Sequence, residues 1–307
     1  MCGIAGFFGN RKIDNNIINE TLVSMKNRGP DFSNFYKQEY INGLSIYLLH
    51  SRLSIIDLKK RSNQPFVFGD YIIIFNGEIY NYIELKKKLL EKKIILKTNS
   101  DTEILLHYFI LYGEKCVNYF DGMWSFAIFN KRTKKLFLSR DPFGEKPLYF
   151  YKSKYGFFFG SETKFIKRLS QKAFQINSAK LNQYLSFGAR SLHKDNKTFY
   201  NEIFTVKNSE NLVINSELNI IKKKYWKPTP SPKNHKIQDI YDTSKDLLLT
   251  SLERRLRADV PMAFLLSGGI DSGGLASLAV KKFNKKINTF SIVGVDNKYN
   301  EIKNIKK

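Results

Sequence analysis

Between residues 123 and 160 the sequence repeats one pattern, in which two short apolar runs flank a polar turn. Residues 126–129 and 136–138 form one such pair, and residues 148–151 and 157–159 form the next. Paired apolar runs of this kind predict β-hairpins, whose strands are antiparallel. Helical patterns are interspersed without the βαβ alternation of a parallel sheet. We therefore expect an α+β fold with two stacked antiparallel sheets between helical layers.

Further elements are predicted on the N-terminal side of these hairpins. Apolar spacing predicts helices over residues 14–27 and 83–92, and strands over residues 44–49 and 71–75. Ser100 and Glu103 have the spacing of a capping box, in which each side chain caps the backbone N–H of the other residue. A helix should therefore begin at this point.

The character of the chain changes near residue 226, where three prolines fall within residues 228–232. Such a stretch is a stiff linker, so we expect a first domain over residues 1–225, a linker over 226–237 and a second domain over 238–307. The second segment predicts a helix, a strand, a Gly-rich loop, a helix and a strand, over residues 239–257, 262–266, 267–273, 275–283 and 288–295. This βαβ order is the beginning of a parallel α/β domain.

Composition excludes several classes of protein. Two cysteines, Cys2 and Cys116, cannot build a disulfide framework, and the four histidines have no metal-binding spacing. No apolar run is long enough to cross a membrane, so we expect a cytoplasmic protein. The net charge of +23 invites a nucleic-acid partner, but its lysines are scattered and no nucleic-acid-binding motif accompanies them. We therefore expect no specific nucleic acid.

Cys2 directly follows the initiator methionine. Removal of Met1 would give Cys2 a free α-amine beside its thiol, so that one residue would carry both a base and a nucleophile. The alternative is that Cys2 is a small buried residue at the start of a strand. Cys116 lies in an apolar stretch and is expected to be an inert core residue.

Five other residues have the chemistry needed to bind and hydrolyse an amide. The side-chain amide of Asn76 and the backbone N–H of Gly77 could stabilise an oxyanion. Arg52 suits an α-carboxylate, and Glu78 or Asp101 suits an α-ammonium. Each has a structural alternative: Asn-Gly is a common turn, Arg52 could be solvated, and Asp101 could favour a helix N-terminus.

The Gly-rich loop at residues 267–273 lies between a predicted strand and a predicted helix. Backbone N–H groups in such a loop converge on an anion, and Ser267, Ser272 and Asp271 suit a pyrophosphate with bound magnesium. The loop lacks the Gly-Lys-Ser/Thr of a Walker A motif. The alternative is a tight strand-to-helix turn without a ligand.

Taken together, these stretches resemble the class II glutamine amidotransferases, and within them the glutamine-hydrolysing asparagine synthetases. The resemblance spans nearly the whole chain in family order, through the stretches MCGIAGFFG, NRGPD, HSRLSIIDL, FNGEIYNY, SDTEILL, RDPFGEKPLYF, SET, ADVPMAFLLSGGIDS and TFSIVG. Asn27, Ser51 and Gly273 depart from the family's usual His, Arg and Ser.

The resemblance implies an αββα N-terminal-nucleophile hydrolase domain that splits glutamine at Cys2, with Asn76 and Gly77 as the oxyanion hole. It implies that Arg52, Asn76, Glu78 and Asp101 hold glutamine. Ammonia would reach an ATP-dependent domain of the PP-loop type, where ATP with Mg²⁺ activates aspartate for conversion to asparagine. The implied ATP-binding residues are Leu266, Ser267, Gly268, Gly269, Asp271, Ser272 and Ile292, with Asp271 near the magnesium ion.

Several alternatives stay open at this stage. Most of the family's synthetase domain lies beyond residue 307, and the sequence does not say whether this chain is a fragment, a truncated gene product or part of a split protein. The acceptor could differ from aspartate, as in related amidotransferases. The chain could also act as a glutaminase alone, or be an inactive remnant or a Lys-rich binding module. Homodimer formation is also left open.

Overall fold

The computed structural model describes residues 1–189, 195–232, 236–292 and 305, and divides the chain into two compact units, Met1–Pro228 and Thr229–Lys307. The strands of the first unit are β1 Gly3–Gly9, β2 Phe32–Glu39, β3 Ser45–Arg52, β4 Phe66–Phe68, β5 Tyr71–Ile79, β6 Gly122–Asn130, β7 Lys135–Arg140, β8 Tyr149–Ser153, β9 Gly156–Gly160, β10 Phe204–Thr205, β11 Glu210–Ile214 and β12 Ile220–Lys224. Its helices are α1 Asn15–Met25, α2 Tyr82–Glu91, α3 Asp101–Tyr112, α4 Thr163–Ser170 and α5 Ser178–Phe187.

These strands form two six-stranded antiparallel sheets, in the orders β10-β8-β9-β1-β3-β2 and β12-β11-β7-β6-β5-β4. Alternate residues of β1 point to opposite faces. Ile4 and Phe8 pack between the sheets against residues such as Ile74, whereas Ala5 and Phe7 pack in a second cluster with residues of α1 and α4. A third cluster joins the other sheet to α2 and α3. The predicted stacking of two antiparallel sheets between helical layers is confirmed.

Strand pairing brings distant parts of the sequence to one end of this sandwich. Gly3 of β1 pairs with Ser51 of β3, so Cys2 lies next to the end of β3 at Arg52. In the other sheet, the last residues of β5 approach the first residue of α3, Asp101, whose side chain bonds to the Ile79 backbone. The candidate residues therefore come from the ends of three strands and one helix.

The capping-box prediction at residue 100 is wrong in one respect. Ser100 does cap α3, but its hydroxyl accepts from the backbone N–H of Thr102. The Glu103 carboxylate instead accepts hydrogen bonds from the backbone N–H groups of Lys97 and Thr98 and from the Thr98 hydroxyl. Glu103 therefore organises the loop before the helix, where the buried Thr98 N–H and hydroxyl need an acceptor.

The second unit contains α6 Ile237–Arg255, β13 Ala263–Leu265, α7 Ile270–Lys281 and β14 Asn288–Phe290. β13 and β14 are parallel, as the βαβ prediction requires. The helix predicted to begin at residue 275 begins at Ile270, so Asp271, Ser272 and Gly273 belong to its first turn and not to a loop. β14 ends at Phe290, and residues 293–295 of the predicted strand lie outside the described residues.

Candidate active site

The thiol of Cys2 is held by the backbone of Leu53. The Leu53 N–H donates to Sγ with a nitrogen-to-sulfur distance of 3.3 Å, and the thiol donates to the Leu53 carbonyl at 3.5 Å. Burial raises the pKa of the Cys2 thiol, and the hydrogen bond from Leu53 opposes that rise by favouring the thiolate. The thiol is therefore already oriented, but it needs a base to ionise at neutral pH.

Cationic groups surround the backbone of the first two residues. The Arg28 Nε donates to the Cys2 carbonyl oxygen at 2.9 Å, and the same guanidinium forms an ion pair with Glu162. Lys146 is 5 % exposed, and its Nζ donates to the sulfur of Met1 at 3.4 Å. Burial lowers the pKa of the Met1 amino group, and the charges of Arg28 and Lys146 lower it further.

An unpaired stretch of strand edge lies across from Cys2. β4 pairs with β5 only as far as Ile73, so the following residues of β5 have no strand partner on that side within the described part of the chain. The Tyr80 N–H donates to the Asp121 carbonyl oxygen, which continues the β5–β6 register. Because N–H groups alternate in direction along an antiparallel strand, those of residues 75, 77 and 79 point to the edge away from β6. Two of these N–H groups donate to side chains: that of Phe75 to the amide oxygen of Gln64, and that of Ile79 to the carboxylate of Asp101. By the same alternation, the Gly77 N–H points to this edge.

The close approach of β6 requires glycine at position 77. A Cβ atom there would lie 2.2 Å from the Met123 carbonyl oxygen and 2.8 Å from the Trp124 Cα. The neighbouring Asn76 is 1 % exposed, and its Nδ2 lies 3.5 Å from the Ser125 hydroxyl oxygen, at the limit of a hydrogen bond. A backbone N–H and a side-chain amide are thus presented side by side with weak or no competing acceptors.

Two carboxylates adjoin this edge. Asp101 accepts the Ile79 N–H at 3.0 Å, yet burial raises the pKa of its carboxyl to about 7, and the Glu78 charge adds to the rise. Burial also raises the pKa of Glu78, while the Lys146 ammonium opposes that rise. Two neighbouring carboxylates in a buried setting attract a cation, because each ionised form lacks solvent stabilisation.

Arg52 lies at the same pocket but is largely engaged with protein. Its two terminal nitrogens donate to the carbonyl oxygens of Ile56, Asp57 and Lys59 and to the Asn63 side chain, over distances of 2.6–3.2 Å. The guanidinium therefore organises the loop after β3 in addition to facing the pocket. This role was not expected from the sequence.

One pocket contains all six candidate residues of the first unit. Its lining comprises Met1, Cys2, Arg52, Leu53, Ile55, Ile56, Ser62, Gln64, Phe75, Asn76, Gly77, Glu78, Ser100, Asp101, Thr102 and Lys146. The structure therefore brings together a thiol, a strand-edge N–H, a side-chain amide, a guanidinium and two carboxylates. This set suits a small molecule that has an amide, an α-carboxylate and an α-ammonium.

The second unit presents its candidates separately. Gly268 has a positive φ of 75°, and Gly269 caps the N-terminus of α7. The hydroxyl oxygens of Ser267 and Ser272 lie 3.2 Å apart, and Ser272 also accepts from the Ser267 N–H. Gly269 and Asp271 are exposed, Leu266 is half-buried and Ile292 is 96 % exposed.

Comparisons with known proteins show the family of the chain. The family profile described as "Glutamine amidotransferase domain" matches residues 1–226. This chain belongs to the glutamine amidotransferase family. A profile described as "Asparagine synthase" matches residues 243–307.

Relatives of this amidotransferase include two Bacillus subtilis proteins, glutamine-hydrolyzing asparagine synthetases 1 and 2. They are 34 % and 33 % identical over 95 % and 98 % of this chain, which covers 46 % and 41 % of their own lengths. The chain thus spans somewhat under half of these relatives. A solved glutamine phosphoribosylpyrophosphate amidotransferase from B. subtilis matches with a TM-score of 0.55 at 17 % identity, over 97 % of this chain and 68 % of that one. This likeness confirms the N-terminal-nucleophile hydrolase fold.

Three residues that line or support this pocket were not predicted from the sequence. Gln64 and His50 hold the backbone of Phe75, and Lys146 lies beside Met1. His50 and Lys146 fall inside the quoted family stretches, but nothing in their spacing shows which atoms they contact. Gln64 lies outside those stretches, in a segment without a predicted element.

No helix among the described residues has the length and apolar character to cross a membrane. Within the same part of the chain, no group of three or more His, Cys, Asp or Glu side chains is arranged to hold a metal ion. A magnesium ion at the Gly-rich turn would therefore need oxygen ligands from a nucleotide besides the single carboxylate of Asp271.

Proposed function

We propose that this chain hydrolyses glutamine to glutamate and ammonia at Cys2, as the glutaminase part of an asparagine synthetase. The observation that carries the proposal is the single pocket in which the Cys2 thiol meets the Asn76–Gly77 edge, Arg52, Glu78 and Asp101. Glutamine presents an amide to the first two groups and an amino-acid end to the others.

The chemistry begins with removal of Met1, which converts the Cys2 amide nitrogen into a free α-amine. That amine takes the thiol proton, and Sγ attacks the amide carbon of glutamine to form a carbon–sulfur bond. The carbonyl oxygen becomes an oxyanion, to which Asn76 Nδ2 and Gly77 N–H donate. The α-ammonium of Cys2 returns its proton to the leaving nitrogen, which departs as ammonia. Water then hydrolyses the thioester, which releases glutamate and restores the Cys2 thiol.

The amino-acid end of glutamine is held by charge. Arg52 attracts the α-carboxylate by its charge and donates to it through Nε–H, because its terminal nitrogens are engaged with the loop. Glu78 and Asp101 pair with the α-ammonium of glutamine. Because Asp101 is buried and has a raised pKa, a bound ammonium favours its ionised form. Recognition is thus coupled to release of a proton.

The domain organisation that goes with this function is residues 1–225 as glutaminase, 226–237 as linker and 238–307 as the beginning of the ATP-binding domain. Ammonia would amidate aspartate in an ATP-dependent reaction to give asparagine. Leu266, Ser267, Gly268, Gly269, Asp271, Ser272 and Ile292 would contact ATP, and Asp271 would contribute one oxygen ligand to Mg²⁺. A reactive thiol of this kind suits the reducing cytoplasm.

The test is glutamate release from glutamine by the purified chain, with mass spectrometry to establish loss of Met1. A glutamine analogue with a diazo-ketone in place of the amide should label Cys2 in a one-to-one ratio. Cys2→Ala should abolish both labelling and hydrolysis. The matched control is Cys116→Ala, which removes the other thiol, buried away from this pocket. Hydrolysis that survives Cys2→Ala would overturn the proposal.

A further inference from the structure

The backbone N–H and C=O of Phe75, directly before Asn76 and Gly77, are both held by buried side chains. Phe75 N–H donates to Gln64 Oε1 at 2.6 Å, and the Phe75 carbonyl oxygen lies 3.0 Å from His50 Nε2. His50 is fully buried and Gln64 is 4 % exposed. These two contacts stand where a neighbouring strand would bond to β5.

The chemistry of both contacts is determined by the partners. A carbonyl oxygen only accepts, so His50 Nε2 must carry its hydrogen, and burial lowers the pKa of His50 to about 3, which keeps the ring neutral. Gln64 uses its oxygen for Phe75, and its Nε2 donates to the Thr102 hydroxyl at 3.1 Å. Gln64 thereby joins β5 to the first turn of α3, where Asp101 lies.

On the premise of the proposed glutaminase, we infer that Gln64, together with His50, positions the oxyanion donors of Asn76 and Gly77. The Gly77 N–H lies on the same edge as the Phe75 and Ile79 N–H groups, which Gln64 and Asp101 hold. An edge held on both sides of Gly77 keeps its N–H in one direction without a strand partner. Such preorganisation matters most in the transition state, when charge develops on the oxygen.

Gln64→Met removes both polar contacts with little change in volume. Loss of an oxyanion donor costs about 10²–10³-fold in kcat, so a displaced donor should cost about 10- to 100-fold. The KM for glutamine should stay within about threefold, because Arg52, Glu78 and Asp101 hold the amino-acid end. Gln64→Glu keeps an acceptor for Phe75 N–H, so its kcat should lie between those of Gln64→Met and the unmodified chain.

A second readout separates positioning from general damage. The aldehyde analogue of glutamine adds the Cys2 thiol to its carbonyl carbon, and the carbonyl oxygen takes up the thiol proton or stays as an oxyanion at the donors. Its inhibition constant should rise in Gln64→Met by about the same factor as kcat falls. Glutamate, which lacks the tetrahedral oxygen, should inhibit equally in both proteins.

Ser45→Ala is the matched control, since Ser45 is also buried and its hydroxyl donates to the backbone oxygens of Gly9 and Arg11 at the other end of β3. It should lower thermal stability without changing kcat.

A Gln64→Met protein with kcat within twofold of the unmodified chain would overturn the inference. So would equal losses of affinity for the aldehyde and for glutamate. If the unmodified chain hydrolyses no glutamine, the proposed function fails, and hydrogen exchange then tests the positioning of Phe75 and Gly77 by Gln64 separately. Gln64→Met should speed amide exchange at Phe75 and Gly77, and unchanged exchange would refute the inference.

Discussion

The backbone N–H of Leu53 points at the sulfur of Cys2 across 3.3 Å, although the two residues are 51 positions apart in the chain. This contact orients the nucleophile, but burial raises the thiol pKa. The thiol therefore depends on a base, and the free α-amine of Cys2 is the base that the proposed mechanism supplies. Retention of Met1 should accordingly abolish activity.

A variant with an uncleaved N-terminal extension tests this dependence. It keeps Cys2 and the Leu53 contact but leaves the Cys2 nitrogen as an amide, so hydrolysis should fall by about 10²–10⁴-fold, the usual range for loss of a general base. Glutamate release is the measurement, and protease removal of the extension up to Cys2 should restore the rate. An extended protein with full activity would exclude the α-amine as the base.

Arg52→Ala should have two separable effects. The KM for glutamine should rise about 10- to 100-fold, which corresponds to the ~1.5–3 kcal/mol of a charge-assisted hydrogen bond. The free energy of unfolding should also fall, because the loop oxygens at Ile56, Asp57 and Lys59 lose their donor. Steady-state kinetics and urea titration measure the two effects.

Arg52→Lys retains the charge and is the control for the carboxylate contact. It should recover part of the KM effect but little of the loop stability, since an ammonium cannot span the four oxygen atoms. If Arg52→Ala loses stability and leaves KM unchanged, then Arg52 is a loop residue and does not bind substrate.

The raised pKa of Asp101 predicts that glutamine binding depends on pH. Its carboxyl titrates near 7 in the folded protein, above the ordinary value near 4, so the neutral form predominates below that pH. An α-ammonium needs the ionised form, so affinity should weaken by up to about tenfold per pH unit as the pH falls below about 7. Calorimetric titration of glutamine into the Cys2→Ala protein measures this without catalysis.

The same carboxyl should affect stability with a defined sign. Because the folded pKa is raised, the folded state binds more protons than the unfolded state between about pH 4 and 7, and stability falls as the pH rises through that window. Asp101→Asn should remove this slope together with the pH dependence of binding. A wild-type slope that persists in Asp101→Asn would assign the titration to another group.

Gly77→Ala should damage both stability and catalysis. Its Cβ would meet the Met123 carbonyl oxygen at 2.2 Å, so β5 and β6 must separate, at a cost of about 1–3 kcal/mol. The oxyanion N–H moves with the strand, and kcat should fall about 10²-fold or more. Thermal unfolding and glutamate release test this. Gly274→Ala is the control, because its Cβ would meet no atom within 4 Å.

Hydrogen exchange should divide the chain near Pro228. The described part of the second unit has four buried apolar side chains, Leu252, Leu256, Ala276 and Ala279, whereas each of the three clusters of the first unit has more than ten. Amides of α6, α7 and β13 should therefore exchange faster than those of β5 and β6. Slow exchange throughout α7 would contradict the expected low stability.

Several features of the molecule follow from the sequence because they depend on local periodicity. Alternation along residues 4–8 places Ile4 and Phe8 on one face of β1 and Ala5 and Phe7 on the other, so β1 lies between two apolar layers. The polar turns between apolar runs determine the hairpins β6–β7 and β8–β9. The residue types at Cys2, Asn76 and Asp101 are those that amide hydrolysis needs, namely a nucleophile, an oxyanion donor and a carboxylate for an ammonium group.

What only the tertiary structure decided is which atoms meet. Gln64 and His50 reach Phe75 over 11 and 25 positions in the chain, and no local pattern encodes such contacts. The terminal nitrogens of Arg52 donate to the loop after β3, a role that the residue type alone does not predict. The raised pKa of Asp101 depends on its burial beside Glu78. Burial and long-range hydrogen bonds arise from the packing of the two sheets, so these properties exist only once the chain has folded.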